Sequence, residues 1–177
     1  MVSFYRHLMA NKLKQLQLNL LFPLVLSGNR SLIGLLWLAS LRWKLPPVFT
    51  APAGHRSLMD WLQLEVAHPT IPLYADFVAT IVIPNFLLFA WLTFLIELVI
   101  GLCLTLGLFS RLGAGLGLLW SLNLAVGLLE VPGEWPWSYL MLIMWHGLFL
   151  VSTRYQTWGL DSLWRKKSNQ VTMSGNR

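Results

Sequence analysis

Pro84-Asn-Phe-Leu-Leu-Phe-Ala-Trp-Leu-Thr93-Phe-Leu-Ile-Glu97-Leu-Val-Ile-Gly101-Leu-Cys-Leu-Thr105-Leu-Gly107-Leu-Phe109 is apolar almost without interruption. Crossing the hydrocarbon core of a bilayer takes about 20 such residues as helix, at about 1.5 Å of rise each, so this stretch is predicted to span a membrane. Its charged residue, Glu97, stands thirteen residues from Pro84 and thirteen from Ser110, which places it near mid-membrane. A carboxylate at that depth is costly, and two readings follow. It is a functional group, or it is a protonated acid hydrogen-bonded to a neighbouring helix. Thr93, Gly101 and Thr105 recur on its face at i±4, so this small, polar face is predicted to point into a helix bundle.

Working outward, the turn Ser110-Arg111 leads into a second apolar stretch, Leu112 to Leu129, which must run back antiparallel. Val131-Pro-Gly-Glu-Trp-Pro136 breaks the chain before a third, Trp137 to Ser152. Upstream, Leu16 to Leu26 is apolar but short, and Gly28-Asn29-Arg30 interrupts it. Arg6, Lys12 and Lys14 ahead of it resemble the charged start of a signal peptide, with Ser27-Gly28 a poor cleavage site. The preferred reading is a surface helix followed by a span from Arg30 to about Phe49. That reading puts Arg42 and Lys44 about 18 and 21 Å along the helix axis, near enough to the far surface to snorkel. In the connection that follows, Ser57-Leu-Met-Asp60 has the form of a capping box and His68-Pro69 a stop. Leu58, Trp61, Leu62 and Glu65 fall on one face between them, which predicts a short helix lying on the outer membrane surface. The expected architecture is an all-α, integral-membrane four-helix bundle with that interfacial helix in its first outer loop. Residues 1–29 form an N-terminal arm, 30–163 the membrane domain, and 164–177 a basic, disordered tail.

Composition agrees. The 177 residues are 56% hydrophobic and 11% charged, and they include 10 Trp. A soluble domain carries about 25% charge, and Trp gathers at membrane–water boundaries. The net charge of +6 invites a nucleic-acid reading, but the bases form no stripe and no RNA-binding motif, so no nucleic-acid partner is expected. With four spans, Arg6, Lys12, Lys14, Arg30, Arg111, Arg154, Arg165, Lys166 and Lys167 fall on one side. The loop holding Glu130 and Glu134 has no base. The positive-inside rule then places both termini in the cytoplasm. Cys103 is the sole cysteine, which excludes an intrachain disulfide or a CxxC redox pair.

Three helices each offer a strongly polar side chain at similar depth: Glu97, Asn123 and His146, with Tyr139 one heptad before the histidine. Such convergence can make a proton relay or a head-group site, or a structural hydrogen-bond cluster. Glu97 and His146 are expected to line one internal polar site. Arg42, Lys44 and Arg56 are placed at or beyond the outer mouth, where an oxoanion could be attracted; Arg42 and Lys44 are expected to form that mouth, each having also the plain role of a snorkelling anchor. One intramembrane histidine cannot supply both axial ligands of a haem and no metal-ligand spacing occurs, so neither metal nor haem is expected. Gly113, Gly117, Ser121 and Ala125 form a small-residue stripe for close helix approach. Gly113-Ala-Gly115-Leu-Gly117 has only a superficial likeness to a dinucleotide loop, because no strand precedes it.

Glu97-Leu-Val-Ile-Gly101 through Gly107-Leu-Phe-Ser-Arg111 resembles the central signature of the DoxX superfamily. Arg30 through Gly34 to Trp43-Lys44 looks like its first helix, and Trp158-Gly159-Leu160-Asp161 like its closing motif. Pro69-Thr-Ile-Pro72 to Pro84-Asn85, with Trp135-Pro-Trp137-Ser-Tyr139, is more similar to the DoxD branch. The resemblance covers about Arg30 to Leu163. It implies a membrane subunit of a thiosulfate:quinone oxidoreductase, in a bacterial or archaeal plasma membrane or a thylakoid-like one. It also implies a quinone as co-substrate, and a second redox subunit or an oligomer as partner besides the lipid bilayer. In that setting Glu97 and His146 would be catalytic, and Arg42, Lys44, Asn123 and Tyr139 would bind substrate. The rival readings are a non-catalytic anchor or scaffold for redox partners and, with less support, a small-solute transporter, for which no inverted repeat is visible.

Overall fold

In the computed structural model, which describes residues 2–47, 49, 55–153 and 159–161, the chain is helical and, among the described residues, has no strand. The elements in order are α1 (Val2–Ser40), a 3-10 turn (Leu41–Trp43), α2 (Leu58–Ala67) and α3 (Pro72–Phe77). They continue with a π-helical segment (Val78–Val82), α4 (Phe86–Leu106), α5 (Ser110–Leu128) and α6 (Pro136–Val151). Among the described residues, three stretches are long and apolar enough to cross a membrane: Asn19–Trp43, Phe86–Leu106 and Ser110–Leu128. At 16 residues α6 is about 24 Å long, short of the ~30 Å hydrocarbon core. Trp158, the bases Arg154, Arg165, Lys166 and Lys167, and the tail 164–177 lie outside the described residues.

The N-terminal half departs from expectation. Instead of a surface helix and a separate span, α1 runs unbroken from Val2 through Pro23 and Gly28-Asn29-Arg30 to Ser40. One glycine weakens a helix by only about 1 kcal/mol. Asn29 turns its amide back to donate to the Val25 carbonyl at 2.9 Å. Arg30 is not a solvent-facing flank but a buried side chain. By length and composition the first candidate span is Asn19–Trp43, and α1 runs unbroken through residues 29 and 30.

α4 packs between α1 and α5, and α6 packs on α5 and α1. The inward face expected around Glu97 is present: Glu97 and Gly101 are buried, and Thr93 and Thr105 partly so. At Gly34 of α1 the backbones nearly touch, since a Cβ there would lie 2.5 Å from the Thr105 amide nitrogen and 2.9 Å from the Gly101 carbonyl oxygen. All four members of the Gly113-to-Ala125 stripe are buried. Trp37, Ile100, Leu104, Ala114 and Phe149 form the core, while Leu87, Leu88, Leu95 and Leu102 project outward from α4. Apolar side chains on the outer face, with the small and polar ones kept inside beside this apolar core, is a distribution suited to a lipid solvent.

One end of the bundle is closed by a polar latch. Gly107, at φ 64°, ends α4 in the left-handed conformation that favours glycine. Asp161 accepts from the Phe109 and Ser110 amides at 2.9 and 2.8 Å, an anion on the exposed N–H groups where α5 starts. Arg30 donates to the Leu104 carbonyl at 2.7 Å and to Ser110 Oγ at 3.5 Å. The three separated stretches that carry the resemblance thus meet in space.

Candidate functional site

The opposite end holds a cavity of about 660 Å³, within the range of small-molecule sites. α2 roofs it. The Ser57–Asp60 capping box forms as read, Ser57 Oγ accepting from the Asp60 amide at 3.2 Å and Asp60 Oδ2 from the Ser57 amide at 2.7 Å. The Ser57 hydroxyl, donating to Asp60 Oδ2 at 2.7 Å, and then the Ser57 amide hold the Asp60 carboxyl below its ordinary range. The face bearing Leu58, Trp61, Leu62 and Glu65 lines the cavity, so it turns into the protein. α3 and the π-helical segment, not anticipated from sequence, supply Tyr74, Phe77, Val78 and Val82 to the wall. Pro72 at the start of α3 was the available signal, because proline is favoured in a first helical turn.

At the deep end Lys44 Nζ lies 2.5 and 2.6 Å from the two Glu97 carboxylate oxygens. Ser40 Oγ donates to Oε2 at 2.9 Å and Trp120 Nε1 to Oε1 at 3.3 Å. Glu97 is 0% and Lys44 6% exposed. The 3-10 turn after α1 brings the lysine inward, and its ammonium also lies 4.5 Å from the centre of the Trp43 ring. Lys44 is therefore a buried ion-pair partner and not a snorkelling side chain at a mouth, which the cost of two unpaired charges at this depth explains. Arg42, one turn position away, is exposed and does not line the cavity. The geometry separates the two basic residues that were read together.

Asn123 and Tyr139 both line the cavity. Tyr74 Oη donates to Asn123 Oδ1 at 3.1 Å, and Tyr139 Oη donates to Glu134 Oε2. His146 does not line it. Its Nε2 accepts from Trp37 Nε1 at 3.1 Å, and its Nδ1 lies 2.6 Å from the Leu142 carbonyl oxygen and 3.5 Å from Ser121 Oγ. The ring presses on α5 so closely that a Cβ at Gly117 would fall 2.1 Å from it. Glu97 and His146 share no hydrogen bond among the described residues. What joins them is Ser40, which reaches both Glu97 and the Trp37 carbonyl, and then Trp37 itself. Sequence reasoning missed Ser40, Tyr74, Trp120 and the inward role of Glu65. Opposite charges inside two predicted spans were the signal for Lys44–Glu97, since each demands a partner.

At the other end of the cavity are His55 and Arg56. The Arg56 guanidinium lies 4.8 Å from the Trp61 ring centre, and its Nη1 donates to the Pro132 carbonyl at 3.5 Å. The walls are mainly aromatic and aliphatic, with polar groups at a few points.

These features define a membrane-embedded helical protein whose spans enclose an aromatic-walled cavity with a buried charge pair at its floor. Residues 62–176 match the family model described as "TQO small subunit DoxD", TQO being thiosulfate:quinone oxidoreductase. The chain belongs to the DoxD family. The match leaves Arg30–Lys44 outside, yet the structure ties that segment to it through both the latch and the Lys44–Glu97 pair. No curated protein and no solved structure matches the chain.

Proposed function

We propose that this chain binds a quinone in the 660 Å³ cavity as the membrane subunit of a thiosulfate:quinone oxidoreductase. The observation that carries the reading is the cavity itself, with flat aromatic walls (Trp43, Trp61, Trp120, Phe77, Phe89) and hydrogen-bonding groups at its deep end. A quinone ring needs an apolar slot and donors for its two carbonyl oxygens. The third N–H of Lys44 and the Asn123 amide are such donors. Thiosulfate, or a partner subunit carrying a cofactor, supplies the electrons. The family's description as a small subunit supports a larger partner. Glu97 neutralises Lys44, so attraction of an oxoanion falls to Arg56 and not to Arg42 and Lys44. α6 serves as the fourth span. With Arg111 at the latch end and Glu130 and Glu134 at the cavity end, the positive-inside rule puts the cavity at the outer face and both termini in the cytoplasm.

The test is saturable quenching of tryptophan fluorescence in the purified chain by a short-tailed benzoquinone. It is paired with thiosulfate-dependent quinone reduction in membranes with and without the chain. Quenching together with loss of reduction on deletion is the expected result. Absence of quenching, with the partner no longer held at the membrane on deletion, would establish the scaffold reading instead.

A further inference from the structure

Glu65 lies on α2, the roof of the cavity, and is 8% exposed. Its carboxyl rests against Gly127 of α5. A Cβ there would stand 2.8 Å from the carboxyl carbon and 2.9 Å from each oxygen, so the glycine forms its seat. Among the described residues Oε2 has no hydrogen-bond partner, and no cation pairs with the group. A carboxylate buried without a donor or a counter-ion is unfavourable, and the neutral acid is the form such a place holds. Burial accordingly pushes the Glu65 carboxyl up to about 7. Near neutral pH the group carries a proton that it can release.

Most of the surrounding ionisable groups are held by partners. Tyr74 on α3 donates to Asn123, and Tyr139 on α6 donates to Glu134. Glu97 is held by Lys44, Ser40 and Trp120 at the far end. His55 and Arg56 flank the start of α2. Glu65 is thus the carboxyl that borders the cavity, stays neutral without a partner, and stands in a short helix outside the candidate spans.

We propose that Glu65 is the proton donor of this cavity, delivering protons from outside the membrane to the oxygen of a bound quinone as it is reduced. The inference rests on the quinone reading above. In the step, the Glu65 O–H bond breaks and an O–H bond forms on the quinone oxygen, while electrons arrive from the sulfur-oxoanion donor. The carboxylate left behind is reprotonated by water entering past His55 and Arg56. Two such cycles deliver the two protons that, with two electrons, convert a quinone to a quinol. A charge left on Glu65 without a partner is unstable, which favours prompt reprotonation.

The experiment compares wild type, Glu65→Gln, Glu65→Asp and Gly127→Ala in membranes holding the complete complex, with thiosulfate and a short-tailed benzoquinone. Three quantities are read: quinone binding by fluorescence quenching, turnover against pH, and the infrared difference spectrum on quinone reduction. Expected for Glu65→Gln is binding within about twofold of wild type, turnover down at least tenfold, and loss of the fall in turnover near pH 7. A protonated-carboxyl band seen in the wild-type difference spectrum should vanish with it. Glu65→Asp should restore part of the turnover. Gly127→Ala, which displaces only the flexible end of Glu65, should keep binding and lower turnover. Wild-type turnover, pH profile and infrared spectrum in Glu65→Gln would overturn the proposal while leaving the quinone site standing. Absence of quenching in the wild type would overturn both.

Discussion

Removing one partner of Lys44–Glu97 tests whether the buried pair holds the cavity floor together. Glu97 is fully buried, and Lys44 supplies two of its four contacts, at 2.5 and 2.6 Å; the others are Ser40 at 2.9 Å and Trp120 at 3.3 Å. Lys44→Met leaves the carboxylate with two neutral donors, and Glu97→Gln leaves an ammonium facing an amide. Breaking a buried pair from one side typically costs about 3–5 kcal/mol, because the remaining charge is stranded. For a chain of this length, at about 2–4 °C per kcal/mol, each single variant should lower Tm by roughly 6–20 °C. The double variant strands no charge, so it should lie closer to wild type than either single one, with a coupling of about 2–4 kcal/mol. The assay is thermal unfolding of detergent-purified protein, followed by tryptophan fluorescence for all four members of the cycle. Additive losses, or single variants that melt with wild type, would refute the reasoning: the pair would then be contributing nothing that depends on both partners.

Gly34→Ala should destabilise by about 1–3 kcal/mol, read as a lower Tm, because the new Cβ meets α4 backbone at 2.5 Å, which cannot yield without parting the helices. Stability should fall between about pH 4.5 and 7. There the unfolded chain has released the Glu65 proton and the folded one retains it, so the loss grows to about 3 kcal/mol and levels off above pH 7. Glu65→Gln should flatten that slope in unfolding measured across the same range. Asp161→Ala should cost about 0.5–2 kcal/mol by leaving the Phe109 and Ser110 amides without their acceptor, detectable as faster hydrogen exchange at the start of α5. A reporter fused after Arg177 should be active only in its cytoplasmic form; activity outside would reverse the orientation of the cavity.

Local pattern reached far into this fold. The helices α4, α5 and α6 begin and end within three residues of where the apolar runs and the Pro–Gly breaks place them. The Ser57–Asp60 box caps α2, and the Glu97 and Gly113 faces turn inward, because turn chemistry and a 3.6-residue period act over a few residues. The interrupted segment at Gly28-Asn29-Arg30 was misread. A weak local breaker is outweighed when Arg30 finds the Leu104 carbonyl seventy-four residues away, an interaction with no local trace.

For the site, local pattern alone picks out the polar residues that turn into the bundle. Glu97, Asn123, Tyr139 and His146 had to face inward, since a bilayer gives a polar side chain no other partner. Which of them meet was decided only by the tertiary structure. The 3-10 turn carries Lys44 to Glu97, Trp37 and Gly117 enclose His146 apart from the cavity, and α2 folds its Glu65 face over the gap as a roof. Period and composition fix the face on which a side chain lies. Its partner depends on how helices distant in sequence are rotated and set against one another, and that follows from the packing of the whole bundle.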